Sequence, residues 1–310
     1  MVNVKEIESY KDYGRCVVIS NGVIEAYVTV DLGPRIIRFG FIGGENIMCD
    51  NRKAFTPMTD KAYTDYFGEG KAWESFGGHR VWLTTESYPE TYTPDDEKVK
   101  YTVTENGAVF EANDDIKNGV KKSFEIKMDS DDANMQINTT IKNISQKEKE
   151  FAVWCISVAT TDGTLVIPMN TNDTGLLHNR QISVWPYTDL SDSRLRFGKK
   201  YVTINQDTNA TCPLKLGFDL NCGQVYYIVG EDVFCKKYEN NHPNGVYPDN
   251  NVSFETYTNN VMIEIENLSE VKKVAPGEVN TMSEIWSLFK KPCELDTKDD
   301  NAIDEFLTKI

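Results

Sequence analysis

Only three histidines occur in these 310 residues, His79, His178 and His242, so imidazole chemistry has few possible addresses. Positive charge is also scarce. Thirty-three Lys and Arg face 48 Asp and Glu, for a net charge of −15, which repels nucleic acid and anionic membranes. The seven cysteines (16, 49, 155, 212, 222, 235 and 293) form no C-x-x-C pair, which argues against structural zinc and fits reduced thiols. No apolar run approaches a membrane span, and Met1-Val2-Asn3-Val4-Lys5-Glu6 has no apolar signal core. A cytoplasmic protein is the expectation, with Asn-x-Ser/Thr sequons such as those at Asn143 and Asn251 arising by chance. Helical periodicity is nearly absent too. No 10–15-residue helical segments separate the strand-like runs, which excludes a parallel α/β architecture.

What recurs is period-2 alternation. Ile24, Ala26, Val28 and Val30 alternate with Glu25, Tyr27 and Thr29. Val120, Phe124, Ile126 and Met128 alternate with Lys121, Ser123, Glu125 and Lys127. Met135, Ile137, Thr139 and Ile141 do the same, and the turn cluster Asp129-Ser130-Asp131-Asp132 makes the last two runs a hairpin. One apolar and one polar face per strand is the mark of antiparallel sheet. Phe151–Val158 and Val225–Val229 are apolar on both faces and read as central strands of a sandwich. Near the end, Ile303, Phe306, Leu307 and Ile310 share a helical face, with Asp299 or Asp300 as N-cap. The expectation is an all-β chain, one large antiparallel β-sandwich domain over residues 1–310 with a short C-terminal helix.

Two stretches could carry chemistry. The first is Phe76-Gly77-Gly78-His79-Arg80-Val81-Trp82, with Trp73, Glu86, Pro89 and Tyr92 close by. The glycine pair permits positive φ or a close approach to a ligand. His79 can exchange a proton near neutrality, Arg80 offers a fork of donors, and Trp82 offers a flat apolar wall. The second is Ile263-Glu264-Ile265-Glu266, where alternation puts both carboxylates on one strand face, so that one can serve as base and the other tune it. The plain alternatives are a hydrogen-bonded turn for the first and a solvated strand face for the second. Asp95-Asp96-Glu97 matches no metal loop and reads as a solvated acidic turn, and no metal or cofactor is expected.

Glu264-x-Glu266-x-Leu268, Ala275-Pro276-Gly277-Glu278 and Glu284-x-Trp286-x-Leu288 together resemble the C-terminal end of the galactose mutarotase-like (aldose 1-epimerase-like) superfamily. Gly77-Gly78-His79-Arg80-x-Trp82 with Glu86 and Pro89 resembles an uncharacterised bacterial branch of it, DUF4380. Leu32-Gly33-Pro34-Arg35-Ile36-Ile37, Trp185-Pro186-Tyr187-Thr188-Asp189-Leu190 and Tyr247-Pro248-Asp249 fit the same branch. The resemblance implies a large β supersandwich that binds a monosaccharide or other small carbohydrate on the concave face of one sheet. It also implies isomerase activity. A late-strand glutamate, Glu264 or Glu266, would be the base and His79 the acid, opening and reclosing the sugar ring to interconvert anomers. Arg80, Trp82, Glu86, Lys236, Tyr247, Asp249 and His178 are the expected substrate-binding residues. The family's second histidine, in a middle strand, has no counterpart in Phe151–Ser157, so sugar binding or sensing without turnover is the alternative.

Overall fold

A computed structural model describes residues 1–310 and places them in two antiparallel sheets of ten strands each, with a small two-stranded ladder beside them. The middle of the first sheet is built, in spatial order, from Ile36–Phe41, Gly78–Leu83, Val153–Ala159, Ile263–Leu268, Phe254–Thr258 and Leu214–Phe218. The middle of the second is Gln224–Val229, Asp232–Tyr238, Val279–Lys290, Asn134–Asn143 and Val120–Met128. The all-β expectation holds. Val120–Met128 and Asn134–Asn143 form the expected hairpin, with Met128 opposite Met135.

The core lies between the sheets. Val81, Cys155, Ile265, Leu214, Leu216 and Phe218 of the first sheet meet Phe124, Ile137, Phe234, Trp286 and Leu288 of the second in one buried cluster. Period-2 alternation then sends Arg80, Trp82, Trp154, Glu264, Glu266 and Lys215 to the other face of the first sheet.

Gly77 and Gly78 explain how the chain enters this crowded centre. Both have positive φ, and a Cβ would sit 2.0 Å from the Cys49 carbonyl oxygen at Gly77 and 2.5 Å from that of Ile36 at Gly78. The close approach that the glycine pair serves is therefore to neighbouring backbone, where any side chain would collide.

Two α-helices of more than one turn accompany the sheets. Asp300–Leu307 begins with the Asp299 carboxylate accepting from the Asn301 amide, and it buries Ile303 and Phe306 against Val166, Ile228 and Val233. Lys61–Phe67, absent from the sequence reading, is capped by Asp60 and buries Tyr63. No helix is long and apolar enough to cross a membrane.

Candidate functional site

Strand register builds the site from residues far apart in sequence. Arg80 pairs across the ladder with Ile156, and Trp82 with Trp154. On the next ladder Glu264 pairs with Val158 and Glu266 with Ile156, and beyond it Glu255 stands directly opposite Glu266. Lys215 then pairs with Tyr257. All these side chains share the face turned away from the core, where Arg80, Trp82, Trp154, Lys215, Tyr257 and Glu264 line a cavity of about 270 Å³.

One wall of the cavity is aromatic. Trp82 packs edge-on against Trp154 at 5.5 Å and against Tyr92 at 4.9 Å between ring centroids, and Trp73 closes the corner at 5.0 Å from Tyr92. Tyr187 and Tyr257 face them with their rings 6.4 Å apart, and Met58 and Met262 fill the remaining gaps.

The polar groups are engaged with one another. Arg80 Nη2 donates to Glu264 Oε1 at 2.9 Å, while its guanidinium lies 4.4 Å from the Trp82 ring centre. Lys215 lies 2.8 Å from Glu255 and 3.3 Å from Glu266, with its ammonium 4.7 Å from the ring of Trp154 and 4.8 Å from that of Trp185. Trp154 Nε1 donates to Glu266 at 2.8 Å, and Tyr92 donates to Glu86. Burial pushes the Glu266 carboxyl up to about 7, with Lys215 opposing the shift and Glu264 reinforcing it. Burial also drives Glu255 well up. For Lys215 burial alone would lower the ammonium, but Glu266 and Glu255 outweigh it and hold the proton firmly.

Of the residues expected from sequence, Arg80, Trp82, Glu86 and Glu264 line the cavity. Glu266 sits beneath it, fully buried behind Trp154, so the two glutamates share a face but not an exposure. The solvated-face alternative fails for both, since Glu264 is only 8% exposed and Glu266 0%.

His79 and Lys236 are elsewhere. The odd positions of Gly78–Leu83 point between the sheets, so His79 faces away from the cavity that Arg80 and Trp82 line. His79 Nδ1 shares a hydrogen bond of 3.0 Å with Ser157 Oγ, and the ring packs edge-on against Trp286. Lys236 reaches across from the second sheet, donating to Ser157 Oγ and to the Ile265 carbonyl at 2.9 Å each, and pairs with Glu284 at 3.0 Å. Burial first, then the charges of Lys236, Arg35 and Arg80, holds the His79 pKa well below its usual value and keeps the ring neutral. The expectation that His79 and a late-strand glutamate flank one sugar ring is corrected on this ground: the imidazole and the two carboxylates lie on opposite faces of the first sheet. Lys236 is corrected likewise, from cavity wall to core.

The remaining expected residues also lie outside the cavity. Tyr247 stacks on His242 with centroids 4.2 Å apart and lines a separate polar recess with Glu239 and Glu270. Asp249 is an exposed turn residue at φ 51°, its carbonyl accepting from Ser183, and His178 is exposed in a loop. Lys215, Glu255, Trp154, Tyr187 and Tyr257 are site residues the sequence reading passed over. Lys215 had a readable signal, because Leu214, Leu216 and Phe218 alternate around it and commit it to the outer face.

A metal has one geometrical candidate. His79, Cys155 and Glu284 offer ligand atoms within 4.8 Å of one another. Lys236 already neutralises Glu284 there, and a dication would add uncompensated charge in a closed interior, so the donor set does not suit one. The acidic turn forms its own pairs, Asp95 with Arg35 at 2.9 Å and Asp96 with Lys71 at 2.7 Å.

No family model matches the sequence, and no curated protein matches it either. Solved structures do. A galactose mutarotase-like protein from Lactobacillus casei superposes with a TM-score of 0.53 at 9% identity, covering 88% of this chain and 100% of that one. A galactose mutarotase-like protein from Clostridium acetobutylicum gives 0.52 at 11%, covering 93% and 99%. A TPR-domain containing protein from Parabacteroides distasonis gives 0.55 at 13%, with 90% of this chain covering 48% of that one. The architecture is therefore that of galactose mutarotase-like proteins.

Proposed function

We propose that the cavity between Arg80 and Lys215 binds a monosaccharide-sized carbohydrate and that Glu264 acts on it as the base of an aldose 1-epimerase-like reaction. The observation that carries this reading is that Glu264 alone of the two late-strand glutamates lines the aromatic cavity, with Arg80 fixing one oxygen and leaving Oε2 for a substrate. Aromatic rings pack on the C–H face of a pyranose, and the charged groups hydrogen-bond its hydroxyls. Glu264 would take the proton from the anomeric hydroxyl as the C1–ring-oxygen bond breaks. Lys215, the cationic donor on the far side of Glu264 from Arg80, would stabilise the charge developing on the ring oxygen. Rotation about C1–C2 and reclosure, with the proton returned, gives the other anomer. The DUF4380 likeness belongs to this proposal.

A second reading, sugar binding or sensing without turnover, is favoured by one observation: none of the three histidines lines the cavity. Exchange-rate NMR on freshly dissolved anomers of a monosaccharide panel decides between them. Accelerated anomer exchange that is lost in Glu264→Gln supports the epimerase. Saturation transfer to a sugar without acceleration supports binding alone, and neither signal across the panel overturns both.

A further inference from the structure

Val120, Phe124, Ile126 and Met128 form the inward row of one strand, and Lys122 stands in that row where the alternation calls for an apolar side chain. It is 6% exposed. A charge turned inward often guards an edge strand, but Val120–Met128 is paired on both sides, by Gly107–Glu111 and by Asn134–Asn143. The lysine faces a second cavity of about 250 Å³, which shares no lining residue with the aromatic one. The turn after Gly107–Glu111 forms one side of it and the acidic turn at Asp95 another, and Phe67 and Pro94 add apolar wall.

Most charges around this cavity already have partners. Asp95 holds Arg35 at 2.9 Å and Asp96 holds Lys71 at 2.7 Å. Lys117 donates to the Tyr66 carbonyl, and Asn113 donates to Glu97 at 2.9 Å. Asp115 is 7% exposed and accepts from Thr93 Oγ1 at 3.0 Å and from the backbone and side-chain amides of Asn118 at 3.0 and 2.8 Å. Two groups are left over. The Lys122 ammonium comes no nearer to a carboxylate than 4.0 Å, at Asp115 Oδ2, which is beyond hydrogen-bond reach. The Asp114 carboxylate, at the exposed rim, joins no ion pair. A buried ammonium without an acceptor destabilises the fold, so packing alone does not account for Lys122.

The uncommitted pair is thus a buried cation and a carboxylate at the rim of the same space, not joined to each other. The lining carries five acids against three lysines, so a simple anion meets repulsion at the mouth, while a simple cation meets Lys122 at the back. A zwitterion satisfies both ends. We propose that this second cavity binds a free α-amino acid, its carboxylate against Lys122 Nζ and its ammonium toward Asp114.

Isothermal titration of the wild-type protein with the standard free amino acids tests it. Each hit is compared with the carboxylic acid that lacks the amino group and with the amine that lacks the carboxylate. At least one amino acid is expected to bind, with both stripped analogues weaker by about tenfold or more, because each lacks one charge-assisted bond. Lys122→Met and Asp114→Asn should each weaken the same amino acid by about tenfold or more. Asp114 is exposed and unpaired, so its variant keeps the fold and decides the matter even if Lys122→Met does not. Binding of no amino acid, a stripped analogue that binds as tightly as its parent, or an affinity unchanged in Asp114→Asn overturns the proposal.

Discussion

His79 and Arg80 are adjacent in sequence and stand on opposite faces of the sheet. His79 bonds Ser157 in the closed interior, and Arg80 donates to Glu264 in the cavity. Their substitutions should therefore separate cleanly. His79→Ala removes a fully buried ring packed on Phe124 and Trp286 and is expected to cost roughly 2–4 kcal/mol of stability. At temperatures where the variant remains folded, ligand affinity should stay within about threefold of wild type. Arg80→Met should weaken ligand binding tenfold or more, since it frees Glu264 from its only hydrogen-bonding cation. Denaturant melts and titration of the same two variants read both quantities. A His79→Ala protein of unchanged stability that no longer binds sugar would refute the division of labour.

Glu264 and Glu266 share a strand face but should not share a phenotype. Glu264→Gln keeps the shape of the cavity wall and removes the base, so anomer exchange is expected to fall about 10²- to 10⁴-fold with affinity little changed. Glu266→Gln should leave a measurable exchange rate, because Glu266 lies behind Trp154 and contacts no ligand. Exchange that survives in Glu264→Gln and vanishes in Glu266→Gln would reverse the assignment.

How much of this was legible beforehand follows from the range of each interaction. The hairpin of Val120–Met128 with Asn134–Asn143 and the Asp299-capped helix are local, and alternation, turn residues and capping specify them. Alternation also implies that His79 and Arg80 point oppositely, but not which of them faces the other sheet. That depends on pairing with Val153–Ala159 and on a partner strand 184 residues away, neither of which a local pattern encodes. The Gly77-Gly78 pair looked like a ligand-approach device because the crowding that requires it comes from Cys49 and Ile36, distant in sequence. Helix Lys61–Phe67 was missed because seven residues give too few turns for periodicity to register.

Stability should carry two opposed pH signatures. Glu266 keeps its proton in the folded state up to about pH 7 but loses it near its ordinary value when unfolded. The folded state therefore binds more protons between about pH 4.5 and 7, and this group's contribution falls as pH rises through that window. Its full span is on the order of 3 kcal/mol. His79 is held neutral in the fold, so its contribution is lost as pH falls below the ordinary histidine range, where the unfolded chain takes up a proton. Melting Glu266→Gln and His79→Gln against wild type from pH 5 to 8 isolates each slope. The Glu266 variant should gain on wild type as pH rises, and the His79 variant should gain as pH falls; either slope with the other sign contradicts the burial assigned to that group.

Lys236 and Glu284 should behave as a single unit. Both are essentially unexposed, and the ammonium also holds the carbonyls of Cys155 and Ile265, on the strands whose opposite face carries Trp154 and Glu264. Lys236→Met alone leaves the Glu284 carboxylate buried beside a neutral His79, which typically costs about 3–5 kcal/mol. Lys236→Met combined with Glu284→Leu removes both charges and replaces them with side chains that suit the surrounding core, so the double variant should recover most of that loss. The cycle of wild type, two single variants and the double, measured by denaturant unfolding, gives the coupling directly. Simple additivity of the two single losses would mean that the buried pair is not what anchors the second sheet beneath the cavity.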